Sequence, residues 1–242
     1  MVKLIYLLAL LGLFACKSSN KNGLTDADVF MYSEYMDYVI LASSGAKNVN
    51  TTLGVQKNLT YYYRDFPEEG LKFLMIYNKR LNQQYAIFYG YGLEKKRKAI
   101  MEASAVSGLN LGDKIKFNQE ILKTFLKTEE FIEGKFQKGV KKIVIGFELG
   151  GSLANMATTS LIENAGFKSS EFEVITFGSI PFANNFNFNF NRVSIILEGD
   201  TDFYLSTKCC TQISSKKLTI SDKKAKGSKL ERYKQAMQNT VL

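Results

Sequence analysis

An α/β domain is the fold class this sequence predicts, and three features carry the prediction. Residues 141–145, Lys-Lys-Ile-Val-Ile, form a short β-branched run suited to a buried strand. The glycine-rich turn Gly146-Phe147-Glu148-Leu149-Gly150-Gly151 follows at once, and residues 152–165 make an amphipathic stretch of helix length that stops at Gly166, a residue fit for the left-handed position after a helix. Upstream, 71–77 and 84–89 are strand-like runs joined by the polar turn 78–82, a hairpin signal. The chain of 242 residues has two prolines and no internal repeat or low-complexity linker, so 25–242 reads as a single domain long enough for a substantial core.

The chain opens on a leader. Met1-Val2-Lys3 is a short positive segment and 4–13 an apolar core, far below the ~20 residues that span a bilayer, so 1–15 reads as a signal peptide. Leu13-Phe14-Ala15-Cys16 resembles the bacterial lipobox, which implies cleavage before Cys16 and acylation of that cysteine. An ordinary secretory cleavage near Ala15 is the other reading. Two or more acyl chains anchor a protein stably, and the polar stretch 17–24 would be a flexible tether at the membrane.

The remaining elements follow in order. Thr25-Asp26-Ala27-Asp28 is a capping-box-like start, and Val29, Phe30, Tyr35, Met36, Val39 and Ile40 recur at helical spacing. A second helix is expected over about 51–63, ending before Pro67. After the hairpin, 114–134 carries Ile115, Ile121, Leu122, Phe125, Leu126, Phe131 and Ile132 with the periodicity of an amphipathic helix. Phenylalanines at 182, 186, 188 and 190, in an alternating stretch, put one aromatic face on whatever they cover, either the core or an apolar ligand or lipid. A late hairpin over 211–213 and 218–220 and a final helix over 228–241 complete the reading.

Composition narrows the chemistry. Thirty-two Lys and Arg against twenty-three Asp and Glu give a formal charge of +9, with cationic runs at 95–98, 216–217 and 223–226. Such a surface attracts anionic head groups or polyanions, but no nucleic-acid module is visible, so no nucleic-acid partner is expected. Cys209 and Cys210 are adjacent and make no disulfide framework with Cys16, so free or buried thiols are expected in preference to a vicinal disulfide. With no histidine and no Cys-x-x-Cys, no metal site and no cofactor are expected.

The strand–turn–helix at 141–165 has the shape that presents a nucleophile above a helix N-terminus, yet the presented residue is Glu148. The run Val144-Ile145-Gly146-Phe147-Glu148-Leu149-Gly150-Gly151-Ser152-Leu153-Ala154 resembles the class 3 (fungal-type) lipases, whose corresponding run reads Gly-His-Ser-Leu-Gly-Gly-Ala-Leu-Ala. Three further segments agree in order and spacing: Ala86-Ile87-Phe88-Tyr89-Gly90-Tyr91; Val174-Ile175-Thr176-Phe177-Gly178-Ser179-Ile180-Pro181; and 192–200. The resemblance implies an α/β-hydrolase fold of the lipase class 3 type, with a central, mostly parallel sheet flanked by helices. It also implies site counterparts: Glu148 for the nucleophilic serine, Phe147 for the histidine before it, Tyr91 and Leu149 for the oxyanion hole, and Asp200 or Asp202 for the triad acid. Tyr89, Phe147 and Pro181 would line a pocket.

A Ser-His-Asp mechanism needs an imidazole to take and return the proton, and none exists in the chain. The expectation is a lipid-anchored envelope protein whose catalytic apparatus is degenerate and whose role is binding or interaction, with a lipid or acyl ligand or an anionic surface as partner. An altered hydrolase using Glu148 with Asp200 or Asp202 is the second reading, and a structural envelope lipoprotein the third. For Glu148 itself the plainest expectation is that its carboxylate accepts the N–H groups at the start of the following helix.

Overall fold

The computed structural model describes residues 25–111, 115–184, 189–198, 210, 216–221 and 227–240. Helix α1 (Asp26–Ser43) begins where Thr25 and Asp28 close a reciprocal capping box. Helix α2 (Ala46–Leu53) ends at Gly54, and β1 (Leu59–Phe66), β2 (Leu71–Asn78) and β3 (Gln83–Gly90) follow as an antiparallel meander. Then come α3 (Leu93–Glu102), β4 (Ala105–Val106), β5 (Lys116–Asn118), α4 (Gln119–Leu126), α5 (Glu129–Glu133) and β6 (Lys141–Phe147). Helix α6 (Leu149–Glu163), β7 (Phe172–Phe177), β8 (Ala183–Asn184), β9 (Asn191–Leu197), β10 (Lys216–Ile220) and α7 (Lys229–Thr240) complete the described elements.

The main sheet has seven strands in the order β1-β2-β3-β6-β7-β9-β10, and β2 is the one strand running against the rest. A small sheet, β4-β5-β8, stands beside it. Because successive strand residues point to opposite faces, β3 sends Ala86 and Phe88 into one core and Tyr85 and Ile87 into the other. The first core lies under α3, α4, α5 and α6; the second lies under α1, α2 and α7. Both faces of the sheet are therefore covered, as a parallel sheet requires. All the parallel strands end on one edge, where β6 turns into α6.

Three expectations are corrected. Residues 51–63 do not form a helix: α2 stops at Leu53, and the aromatic and β-branched run Thr60-Tyr61-Tyr62-Tyr63 lies in β1, alternately half-buried and exposed from Tyr61 to Arg64 and paired with β2 along its whole length. The stretch 114–134 is interrupted. Phe117 enters a strand, Asn118 caps α4 by accepting from the N–H groups of Glu120 and Ile121, and the Thr128 hydroxyl donates to Phe125 O where α4 ends. Residues 218–220 belong to β10, which pairs in parallel with β9, and the other half of the expected late hairpin, 211–213, lies outside the described residues. Finally, Cys210 is no free thiol, being buried and disulfide-bonded. Of the alternating phenylalanines, Phe182 is core and Phe190 packs against it, while Phe186 and Phe188 lie outside the described residues.

One feature of β6 was invisible in the sequence. Lys142 has no exposed surface; its ammonium donates to Val140 O and to the Glu171 carboxylate, and lies over the Phe167 and Phe172 rings. Burial pulls the Lys142 ammonium below its ordinary range, and hydrogen bonding to Lys142 holds Glu171 below the usual carboxylate range against the opposing effect of burial. This pair pins the N-terminal end of β6, opposite the edge that carries Glu148.

Candidate functional site

The turn between β6 and α6 keeps the geometry of a nucleophile elbow. Glu148 has φ 52° and ψ −121°, a conformation costly for any residue with a Cβ, and its N–H donates to Phe177 O at 2.9 Å. The flanking glycines are required by close approach. A Cβ on Gly146 would fall 2.4 Å from the Gly151 Cα, and one on Gly150 would fall 2.1 Å from Phe88 O, so a side chain at either position would push α6 off the sheet.

Glu148 does not cap the helix it precedes. Its side chain makes no capping hydrogen bond; its Oε1 instead lies 3.3 Å from the Lys229 ammonium, in a pair whose side chains are 13% and 20% exposed. That overturns the expectation that the α6 N–H groups hold the carboxylate. The physical reason is the torsion at the elbow, which carries a nucleophile away from the helix axis, together with a cation supplied from the far end of the chain.

Lys229 is placed by local chemistry at the start of α7. Ser228 and Glu231 form a capping box: the Ser228 N–H and hydroxyl donate to Glu231, and the Glu231 N–H donates back to the Ser228 hydroxyl. The hydrogen bonds from Ser228 hold the Glu231 carboxyl below its usual range. One turn on, Tyr233 is fully buried between Phe147 and Phe177, with ring centroids at 5.7 and 6.1 Å, and its hydroxyl accepts the Leu197 N–H. Lys234 reaches Asp37 on α1 at 2.7 Å. With Tyr233 wedged over the ends of β6 and β7, Lys229 at i−4 lies on the same helix face and meets Glu148. A cation in the first turn opposes the helix dipole, so Glu148 is the compensating charge.

The other expected site residues divide. Leu149 is buried as the first residue of α6. Phe147 is buried and stacks on Tyr89, and Tyr89 stacks on Tyr91, with interplanar angles of 15° and 13°. Tyr91, expected as an oxyanion-hole counterpart, turns its hydroxyl to Asp65 on β1, donating at 2.7 Å. Burial, followed by this hydrogen bond, raises the Tyr91 phenol. Tyr89 is raised by burial and then by the Glu148 charge. Pro181 is buried. Asp200, Asp202 and Cys16 lie outside the described residues. The reading from sequence missed Lys229; the Ser-x-x-Glu spacing at 228–231 marks its helix start, but nothing local points to Glu148.

No protein-family model matches the chain, and no curated protein matches it in sequence. Solved structures do. The native Rhizomucor miehei lipase propeptide complex superposes with a TM-score of 0.67 at 14% identity, over 84% of this chain and 73% of that one. The lipase from Rhizopus microsporus var. chinensis gives 0.63 at 14% identity, over 75% and 70%. The Lip2 lipase of Yarrowia lipolytica gives 0.56 at 15% identity, over 79% of each chain. Together with the mostly parallel sheet covered on both faces and the elbow at the end of β6, these likenesses show that the chain has the α/β-hydrolase fold, in the form found in these fungal lipases.

Proposed function

We propose that the protein is exported, anchored through Cys16 to a bacterial membrane, the outer one, and that its lipase-like domain binds or interacts there without hydrolysing esters. The observation that carries this reading is the ion pair at the elbow. A lipase-type site needs a nucleophile and a base that exchange one proton. Here the nucleophile position holds a carboxylate paired with an ammonium, and the chain has no histidine. The carboxylate is already charged, and the ammonium has no free lone pair with which to accept a proton. The elbow has become a structural joint that ties α7 to the end of β6, and among the described site residues Tyr89, Tyr91 and Glu148 keep partial exposure.

The location is supported by the leader alone. The lipobox-like Leu13-Phe14-Ala15-Cys16 supplies one residue whose modification decides it. Cells grown with labelled palmitate are expected to label the wild-type chain and not Cys16→Ser, with the variant released from the membrane fraction. Absence of label in the wild type would remove the anchor.

A further inference from the structure

We infer that the face formed by α3 and α4 docks on an anionic phospholipid surface, whether or not Cys16 is acylated. Three observations converge on it. First, α3 carries Lys95, Lys96, Arg97 and Lys98, and α4 with the residue after it carries Lys123 and Lys127; Lys95, Lys98, Lys123 and Lys127 are exposed. The exposed carboxylates on α3 are Glu94 and Glu102. Glu120 is half-buried on α4, and Glu69 is engaged with Lys127 at 3.0 Å. With Glu68, which is exposed and acts on Lys127, four exposed lysines meet three exposed carboxylates on this face. Second, the two helices pack against each other over one core, and the half-buried Lys96 ammonium, held below its ordinary range chiefly by burial, feels Lys123 and Lys127 as well as Glu69 and Glu120.

Third, Lys123 and Lys127 line an open groove of about 430 Å³ together with Val106, Gln119, Leu122 and Leu126. Leu126 is a large apolar side chain left 53% exposed there. A shallow apolar trough with an exposed leucine and ammonium groups around it matches the interface of a bilayer, where head-group phosphates meet the first methylenes of the acyl chains. A polyanion such as nucleic acid would use the charges and leave the groove and Leu126 without a role.

The test is binding of the full-length chain to sedimented vesicles, either neutral phosphatidylcholine or phosphatidylcholine containing phosphatidylglycerol. The apolar leader contributes to both vesicle types, so the difference between them isolates the charge effect. The triple variant Lys95→Gln, Lys98→Gln, Lys123→Gln alters exposed side chains and leaves the Lys127–Glu69 pair intact. At roughly fivefold per lysine near an anionic surface, it is expected to lose on the order of a hundredfold in affinity for the anionic vesicles and little for the neutral ones. Leu126→Ser is expected to weaken binding while leaving its salt dependence unchanged. The control Lys57→Gln, Lys79→Gln, Arg80→Gln removes the same charge elsewhere on the surface. Equal loss in this control, equal wild-type binding to neutral and anionic vesicles, or displacement from anionic vesicles by stoichiometric duplex DNA would each overturn the assignment.

Discussion

The elbow torsion makes an unusual demand on substitutions at residue 148, and a comparison of two variants isolates it. Glu148→Ala and Glu148→Gly both delete the carboxylate and leave Lys229 in the same surroundings, so the loss of the ion pair cancels between them. Alanine must still adopt φ 52° and ψ −121°, which costs a residue with a Cβ about 1–3 kcal/mol. Glycine reaches this conformation without that cost but loses about 0.4–1 kcal/mol more through the entropy of its unfolded chain. The difference leaves Glu148→Gly more stable than Glu148→Ala by about 0.5–2 kcal/mol, the reverse of the usual order at ordinary backbone positions. Urea unfolding of both proteins, followed by circular dichroism at one temperature and fitted with a common slope, reads this difference directly. An alanine variant equal to or more stable than the glycine variant would refute the argument that residue 148 is held in a strained turn.

Two further perturbations address the charges. Replacing Glu171 by Gln leaves the fully buried Lys142 ammonium facing a neutral amide and is expected to cost about 3–5 kcal/mol at pH 7. Because the folded Glu171 carboxyl lies below its usual range, its stabilisation is present above the unfolded pKa and lost as pH falls through the lower folded value. Denaturation from pH 7 downward should therefore show the gap between wild type and Glu171→Gln narrowing in acid; a gap that widens would reverse the assigned sign. A double-mutant cycle between Glu148→Gln and Lys229→Met should give a coupling of about 1 kcal/mol or less, as befits a pair that keeps some solvent contact, and the coupling should shrink in high salt. No coupling at low salt would mean that the two side chains do not meet.

How much of this was legible in the sequence depended on whether the cause was local. The capping box at Thr25 and the glycines around Glu148 are local patterns, and the structure keeps both. The strand β1 was misread because three consecutive tyrosines fit a helix or a strand equally well until a partner exists, and β2 supplies that partner across its full length. Asn118 looked like one more polar residue on a long amphipathic helix; its side chain caps the helix only because Phe117 is drawn into β5 beside β8. At the site, the absence of histidine and the glutamate at the turn could be read directly. The partner of Glu148 could not. Lys229 lies 81 positions from Glu148 in the numbering, and their meeting depends on Tyr233 packing between Phe147 and Phe177.

The central claim is that the lipase-like elbow persists as a joint without the chemistry of a nucleophile and its base. The most direct measurement is hydrolysis of short- and long-chain acyl esters by the purified protein beside its Glu148→Ala and Glu148→Ser variants. The account expects all three to match the buffer rate, the serine included, because a hydroxyl at residue 148 facing an ammonium still lacks a group to take its proton. Turnover in the wild type that disappears in Glu148→Ala would contradict it.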